Sequence, residues 1–162
     1  MSNKWPKQSE CLAKFGNPTQ RSFSKNLTLV TLPYTMYMGD IVIKRCTMNK
    51  ICAESLLRVL TKTWEYYGKD KATIKHHGLD VFSGAHMVRP MRGGRNLSMH
   101  AYGLAIDINA PENQLGWKPG YHSESFTDES PMVKFFKEEG WVWGGDWKSR
   151  PDGMHFQAAV IG

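Results

Sequence analysis

Apolar positions along the chain follow two periods, and each predicts its own kind of element. From about Asn49 to Tyr67, Cys52, Leu56, Val59, Leu60, Thr63, Trp64 and Tyr67 recur at three- and four-residue steps. That is the stripe of an amphipathic helix, and Gly68 gives it a C-terminal stop. Ser130-Pro131 reads as an N-cap with proline at the first helical position. Met132, Phe135 and Phe136 then form an apolar face, and Gly140 closes that second helix. Alternation by two predicts strands over Asn26–Leu32, Leu79–Val88, Leu104–Asn109 and Met154–Gln157, with one or two more in Tyr34–Arg45 around Gly39-Asp40,. Ser83-Gly84 suggests a bulge within the second of these.

The remaining stretches break both periods. Residues 1–26 are polar and punctuated by Pro6, Gly16 and Pro18, which predicts an irregular arm or short helix draped over the domain,. Lys69–His77 reads as a charged connector, and Ala110–Phe126 as a loop forming one rim of a cleft,. The expected fold is α+β: a small antiparallel sheet with flanking helices. At 162 residues it suits a single domain, 1–162, with 1–26 as its N-terminal arm,.

Composition changes this picture little. Hydrophobic residues at 41% and charged residues at 22% are ordinary for a globular chain,. Three cysteines form no Cys-x-x-Cys pair and do not suggest a disulfide framework,. The net charge of +6 suits an anionic partner such as a cell-wall polymer,. The positives are dispersed and no nucleic-acid motif accompanies them, so no nucleic-acid partner is expected. Met1-Ser2-Asn3-Lys4-Trp5-Pro6 has no apolar signal core, and no run reaches membrane-spanning length,. The expectation is a monomer made in the cytoplasm without a signal peptide and without membrane insertion.

Chemistry concentrates in two stretches. In Ser98-Met99-His100-Ala101-Tyr102-Gly103-Leu104-Ala105-Ile106-Asp107, alternation puts Leu104, Ile106 and Ile108 on one face and Ala105, Asp107 and Asn109 on the other,. A carboxylate among small strand residues either faces solvent on an edge or is paired with a cation. In Pro151-Asp152-Gly153-Met154-His155-Phe156-Gln157, Met154 and Phe156 would point to a core, and His155 and Gln157 to the other face. Antiparallel pairing in suitable register sets His155 beside Asp107. Two histidines and a carboxylate are a catalytic zinc set with one open position for water, and Asp152 lies three residues from His155. His76-His77, read as part of an extended connector, point to opposite faces and are expected to be surface histidines. His122 is expected to be a loop histidine.

The pattern Ser-x-His-x-x-Gly-x-Ala-x-Asp followed by Asp-x-x-His-Phe resembles the zinc D-Ala-D-Ala-type metallopeptidases of the hedgehog/DD-peptidase fold. These include D,D-carboxypeptidases, D,D-dipeptidases and phage L-alanyl-D-glutamate endopeptidases that serve as endolysins. The resemblance is best from Val81 to Gln157. Trp5-Pro6 and Phe15-Gly16-Asn17-Pro18 are more loosely similar to phage-encoded members. It implies one zinc ion held by His100, Asp107 and His155, with Asp152 as general base. It also implies an arginine upstream of Ser-x-His that steadies the oxyanion or grips substrate: Arg89 first, Arg92 second. Ser98 is assigned to orienting the site through its hydroxyl, and Trp143, from the run Trp141–Trp147, to the groove wall. Gln157 departs from the Glu frequent at that position, and Asp152 resembles the endolysin branch.

The implied activity is amide hydrolysis in the stem peptide of bacterial peptidoglycan. L-Ala-D-Glu is the favoured bond and D-Ala-D-Ala the next, as in a phage or prophage endolysin released by a holin-type pore, or a virion-associated enzyme. The alternative is a non-catalytic zinc-containing wall-binding or phage tail structural module.

Overall fold

The computed structural model describes residues 5–88 and 97–162. The arm opens with a 3-10 turn at Gln8–Glu10, a short helix α1 (Cys11–Phe15) and a second 3-10 turn at Arg21–Asn26. It touches the body through the Gln8 amide, which donates to Val160 O at 2.8 Å. Cys11, Phe15, Pro18 and Phe23 are buried in it.

Two long strands follow, β1 (Leu27–Met38) and β2 (Ile41–Asn49), antiparallel and turning at Gly39-Asp40. The register shifts between Thr31 and Met36, where Pro33 lacks the amide a continuous ladder needs. α2 (Ala53–Tyr66) buries Leu56, Val59 and Leu60 against β1. It starts later than its apolar stripe suggests, because Asn49 still belongs to β2. α3 (Lys71–His76) lies where a connector was expected. Its start is marked by Asp70, whose carboxylate accepts from the Thr73 amide,.

The second sheet has the order β3-β4-β6-β5, built from β3 (Phe82–Gly84), β4 (Ala105–Ile108), β5 (Val142–Trp143) and β6 (His155–Gln157). β3 is shorter than the alternation from Leu79 to Val88 implies, and it carries an irregularity between Phe82 and Gly84. α4 (Pro131–Glu138) precedes β5 and packs on α2. Ser130 is its N-cap by position, but the serine hydroxyl accepts from the Thr127 amide in the preceding turn. The architecture is thus α+β with small antiparallel sheets and flanking helices. Among the described residues no helix is long and apolar enough to cross a membrane.

The core runs between the sheet and the helices. Phe136 of α4 stacks on Phe156 of β6 with ring centroids 4.1 Å apart, and Phe126 packs edge-on against Phe156 at 5.6 Å. Such pairs add about 0.5–1.5 kcal/mol each beyond their buried area. They press β6 against the core from the face opposite His155. On the far side of α2, Glu139 takes a double hydrogen bond from Arg58 and one from the Ser55 hydroxyl, which in turn accepts from Trp141 Nε1. This network ties the end of α4 to α2.

Candidate metal centre

β4 and β6 pair so that Asp107 lies directly opposite His155 and Ile106 opposite Phe156. The period of two does the rest: Ile106 and Phe156 enter the core, while Asp107, His155 and Gln157 share the other face. Met154 departs from the expected alternation. It precedes β6 and lines the cavity on the site side, because the Pro151–Gly153 turn ends the strand at His155.

His100 arrives from a tight turn ahead of β4, fastened by Ala101 N–H to Ser98 O at 2.9 Å and Leu104 N–H to Met99 O at 3.0 Å. Gly103 within it has φ +73, and a Cβ there would meet the Asn49 amide nitrogen at 2.7 Å. Only glycine lets the turn sit this close to β2. Asn49 clamps the turn by donating from its backbone N–H to Gly103 O at 2.8 Å and from its side chain to Tyr102 O at 3.0 Å. Ser98 Oγ accepts from the His100 amide at 3.1 Å, so its hydroxyl orients the His100 backbone.

Three donor atoms converge. His100 Nε2 is 3.2 Å and His155 Nδ1 3.0 Å from Asp107 Oδ1, and one ligand atom from each residue lies within 4.8 Å of the others. All three side chains are buried. Both rings are fixed from behind: His100 Nδ1 donates to Ala85 O at 2.7 Å, and His155 Nε2 donates to Gln157 Oε1 at 2.8 Å. Because carbonyl oxygens only accept, each ring in its neutral form turns a lone pair toward Asp107. Among the described residues, buried His100 Nε2 has no aligned hydrogen-bond partner. Two outward-locked imidazoles, a carboxylate and an orphaned nitrogen fit a zinc ion.

The same cluster sets its own charges. Burial raises the Asp107 carboxyl, but the facing His100 and His155 rings, when they carry a proton toward it, outweigh burial and hold the group well below the usual carboxylate range. Burial lowers His155, yet the adjoining Asp107 carboxylate, reinforced by Asp152, leaves it above an ordinary histidine,.

These three side chains line a cavity of about 220 Å³ together with Asp152, Trp147, Leu115 and Arg150. Asp152 is set by its amide, which donates to Gly144 O at 2.9 Å, and by its carbonyl, which accepts from the His155 amide at 3.0 Å. Trp143 lies inside the core, 1% exposed, and is not on the wall. Its Nε1 donates to Gly153 O at 2.8 Å, so it holds the Asp-Gly turn from below. Trp147 lines the cavity instead, its ring 5.4 Å from that of His155. β5 ends at Trp143, and a 3-10 turn at Gly144–Asp146 carries the chain on to Trp147.

Arg89 and Arg92 lie outside the described residues. Arg150 was not singled out from sequence, although it stands two residues before Asp152. His76 and His77 sit at the end of a helix and not on a strand, so their rings lie 5.0 Å apart and close to Glu124. His77 Nδ1 pairs with Glu124 at 3.0 Å, and Tyr67 packs on its ring. His122 pairs with Glu112 in the 110–130 loop, away from the ligand cluster. Burial pushes the Cys46 and Cys52 thiols up to about 12, which leaves them packing residues.

Residues 92–158 match a family model described as D-alanyl-D-alanine carboxypeptidase. The matched stretch is less than half the chain, and it contains the three ligands, Asp152 and Gln157. It supports a metallopeptidase of zinc-dependent type acting on D-Ala-D-Ala-like substrates, and the α+β architecture fits the hedgehog/DD-peptidase pattern. No match emerges among curated proteins or solved structures.

Proposed function

We propose that the protein is a zinc-dependent peptidase that hydrolyses an amide bond in the peptidoglycan stem peptide. The observation that carries this is the convergence of His100, Asp107 and His155 in one cavity with Asp152. When bound, zinc polarises a scissile carbonyl and acidifies water at neutral pH. Asp152 accepts the proton of the attacking water and returns it to the departing amine. Arg150, at the cavity rim, is the described cation best sited to meet a substrate carboxylate,.

L-Ala-D-Glu is the first candidate bond and D-Ala-D-Ala, named by the matched family, the second. Each has a free carboxylate on the residue beyond the scissile amide: the α-carboxylate of γ-linked D-Glu, or the terminal carboxylate of D-Ala. A net charge of +6 suits an anionic wall,. The proposed setting is a phage or prophage, with release through a holin-type pore or carriage in a virion.

The test is incubation of the zinc-loaded protein, and of Asp152→Asn, with purified peptidoglycan, followed by mass spectrometry of the fragments. New amino termini on D-Glu identify the endopeptidase, and free D-Ala the carboxypeptidase. No release from several wall chemotypes by a zinc-loaded protein overturns the proposal in favour of a wall-binding module.

A further inference from the structure

The face of β6 that carries His155 carries Gln157 two residues later, 1% exposed,. Its amide makes three hydrogen bonds. Oε1 accepts from His155 Nε2 at 2.8 Å, while Nε2 donates to Gln8 Oε1 at 2.6 Å and to Ala159 O at 2.9 Å. Turning the amide over would set its oxygen against two acceptors and its NH2 against the ring N–H. The Ala159 carbonyl can only accept, so it enforces this orientation, and the orientation in turn makes His155 Nε2 the protonated nitrogen,.

Gln8 belongs to the arm, outside the stretch matched by the family model. It is itself anchored: its amide donates to Val160 O at 2.8 Å, and the Val160 amide donates to Pro6 O at 2.9 Å. Trp5 fastens the same segment, its Nε1 donating to Glu139 O at 3.0 Å and its ring standing edge-on to Trp141. Gln8 and His155 thus belong to one chain of hydrogen bonds, Gln8 to Gln157 to His155, with its far end at the donor cluster.

We propose that the N-terminal arm is a working part of the metal centre, with Gln8 and Gln157 as positioning residues that hold His155 Nδ1 ready for the ion. The proposal rests on the reading of His100, Asp107 and His155 as metal ligands. It makes zinc affinity and arm docking reciprocal: whatever the docked arm adds to zinc binding, zinc adds to docking. A polar contact behind a ligating histidine commonly changes metal affinity about 10- to 100-fold.

The experiment measures zinc affinity by competition with a chromophoric chelator, with circular dichroism to verify folding. Gln157→Met loses about 10- to 100-fold in affinity. Gln157→Glu still accepts from His155 Nε2 but sets its second oxygen against Gln8 Oε1 and Ala159 O, so it recovers only part of the Gln157→Met loss, a partial rescue that a merely space-filling role does not give. Gln8→Ala weakens binding in the native background and adds nothing in Gln157→Met, because it acts through Gln157. Hydrogen exchange at the Gln8 amide slows on adding zinc to the wild type but not to Gln157→Met. A folded Gln8→Ala with wild-type affinity, or exchange of the arm indifferent to zinc, overturns the coupling alone. A wild type that binds no zinc, or binds it equally after His155→Ala, overturns the metal reading and the coupling with it.

Discussion

Gly144→Ala separates the base from the metal ligands. Gly144 has no left-handed backbone requirement, so alanine is conformationally acceptable there. Its added Cβ, however, would lie 2.3 Å from the Asp152 carbonyl oxygen and 3.0 Å from the Asp152 Cβ. Ordinary contact begins at 3.4 Å, so the Asp152 segment must retreat by about 1 Å in a tightly packed site,. Misplacing a catalytic group by that much costs on the order of 100-fold in rate, or about 2.7 kcal/mol of barrier.

The ligands His100 and Asp107 lie on and before β4, and His155 is held by its β4 pairing, so zinc stoichiometry should remain one. Release of fragments from a soluble stem peptide, timed by mass spectrometry, gives kcat, and metal analysis of the same sample gives loading. Gly145→Ala reaches the same turn by another route. Its Cβ would strike the Trp143 ring at 2.2 Å, so it should cost about 1–3 kcal/mol of stability through overpacking and, through the Trp143 bond to Gly153 O, lower kcat as well. A folded, zinc-loaded Gly144→Ala enzyme with native kcat would refute the idea that the position of Asp152 limits the reaction.

Other consequences follow from the same geometry. Zinc added to chelator-stripped protein at 100 times its Kd should stabilise by about 2.7 kcal/mol and raise Tm by about 5–10 °C, read by calorimetry. Phe136→Ala removes the ring stacked on Phe156 and should cost about 3–5 kcal/mol in urea denaturation. Glu139→Gln should cost about 1 kcal/mol at pH 7, the partly exposed Arg58 limiting the loss. Arg58 holds the Glu139 carboxyl below its ordinary 4.5. Its stabilisation is therefore present above that pH and lost as pH falls through the lower folded value, so wild type and variant should converge in acid.

Much of the site was legible because its two halves lie on strands with one buried face. Alternation alone placed Ile106 and Phe156 inward, and Asp107, His155 and Gln157 together. Register was not legible from alternation, since it depends on how the Pro151–Gly153 turn meets β4 and on the core rings behind β6. α3 was missed because its six residues carry a single large apolar side chain, Ile74, too little for a stripe, although Asp70 and Thr73 offered a capping signal. The groove-wall tryptophan was not legible within the run Trp141–Trp147, because the 3-10 turn at Gly144–Asp146 that sets Trp147 in the cavity and leaves Trp143 in the core carries no apolar period. Gln8 could not be found at all: a contact across 149 positions leaves no local pattern.

The ring of Trp147, 5.4 Å from that of His155, gives the site an optical channel of its own. Indole emission is sensitive to a neighbouring imidazole and to what that imidazole binds. Of the six tryptophans, Trp147 lines the cavity beside a ligand, while Trp141 and Trp143 are sealed in the core. Occupancy of the centre is therefore written into the intrinsic fluorescence of the unlabelled chain, and Trp147→Phe supplies the blank against which that signal is read.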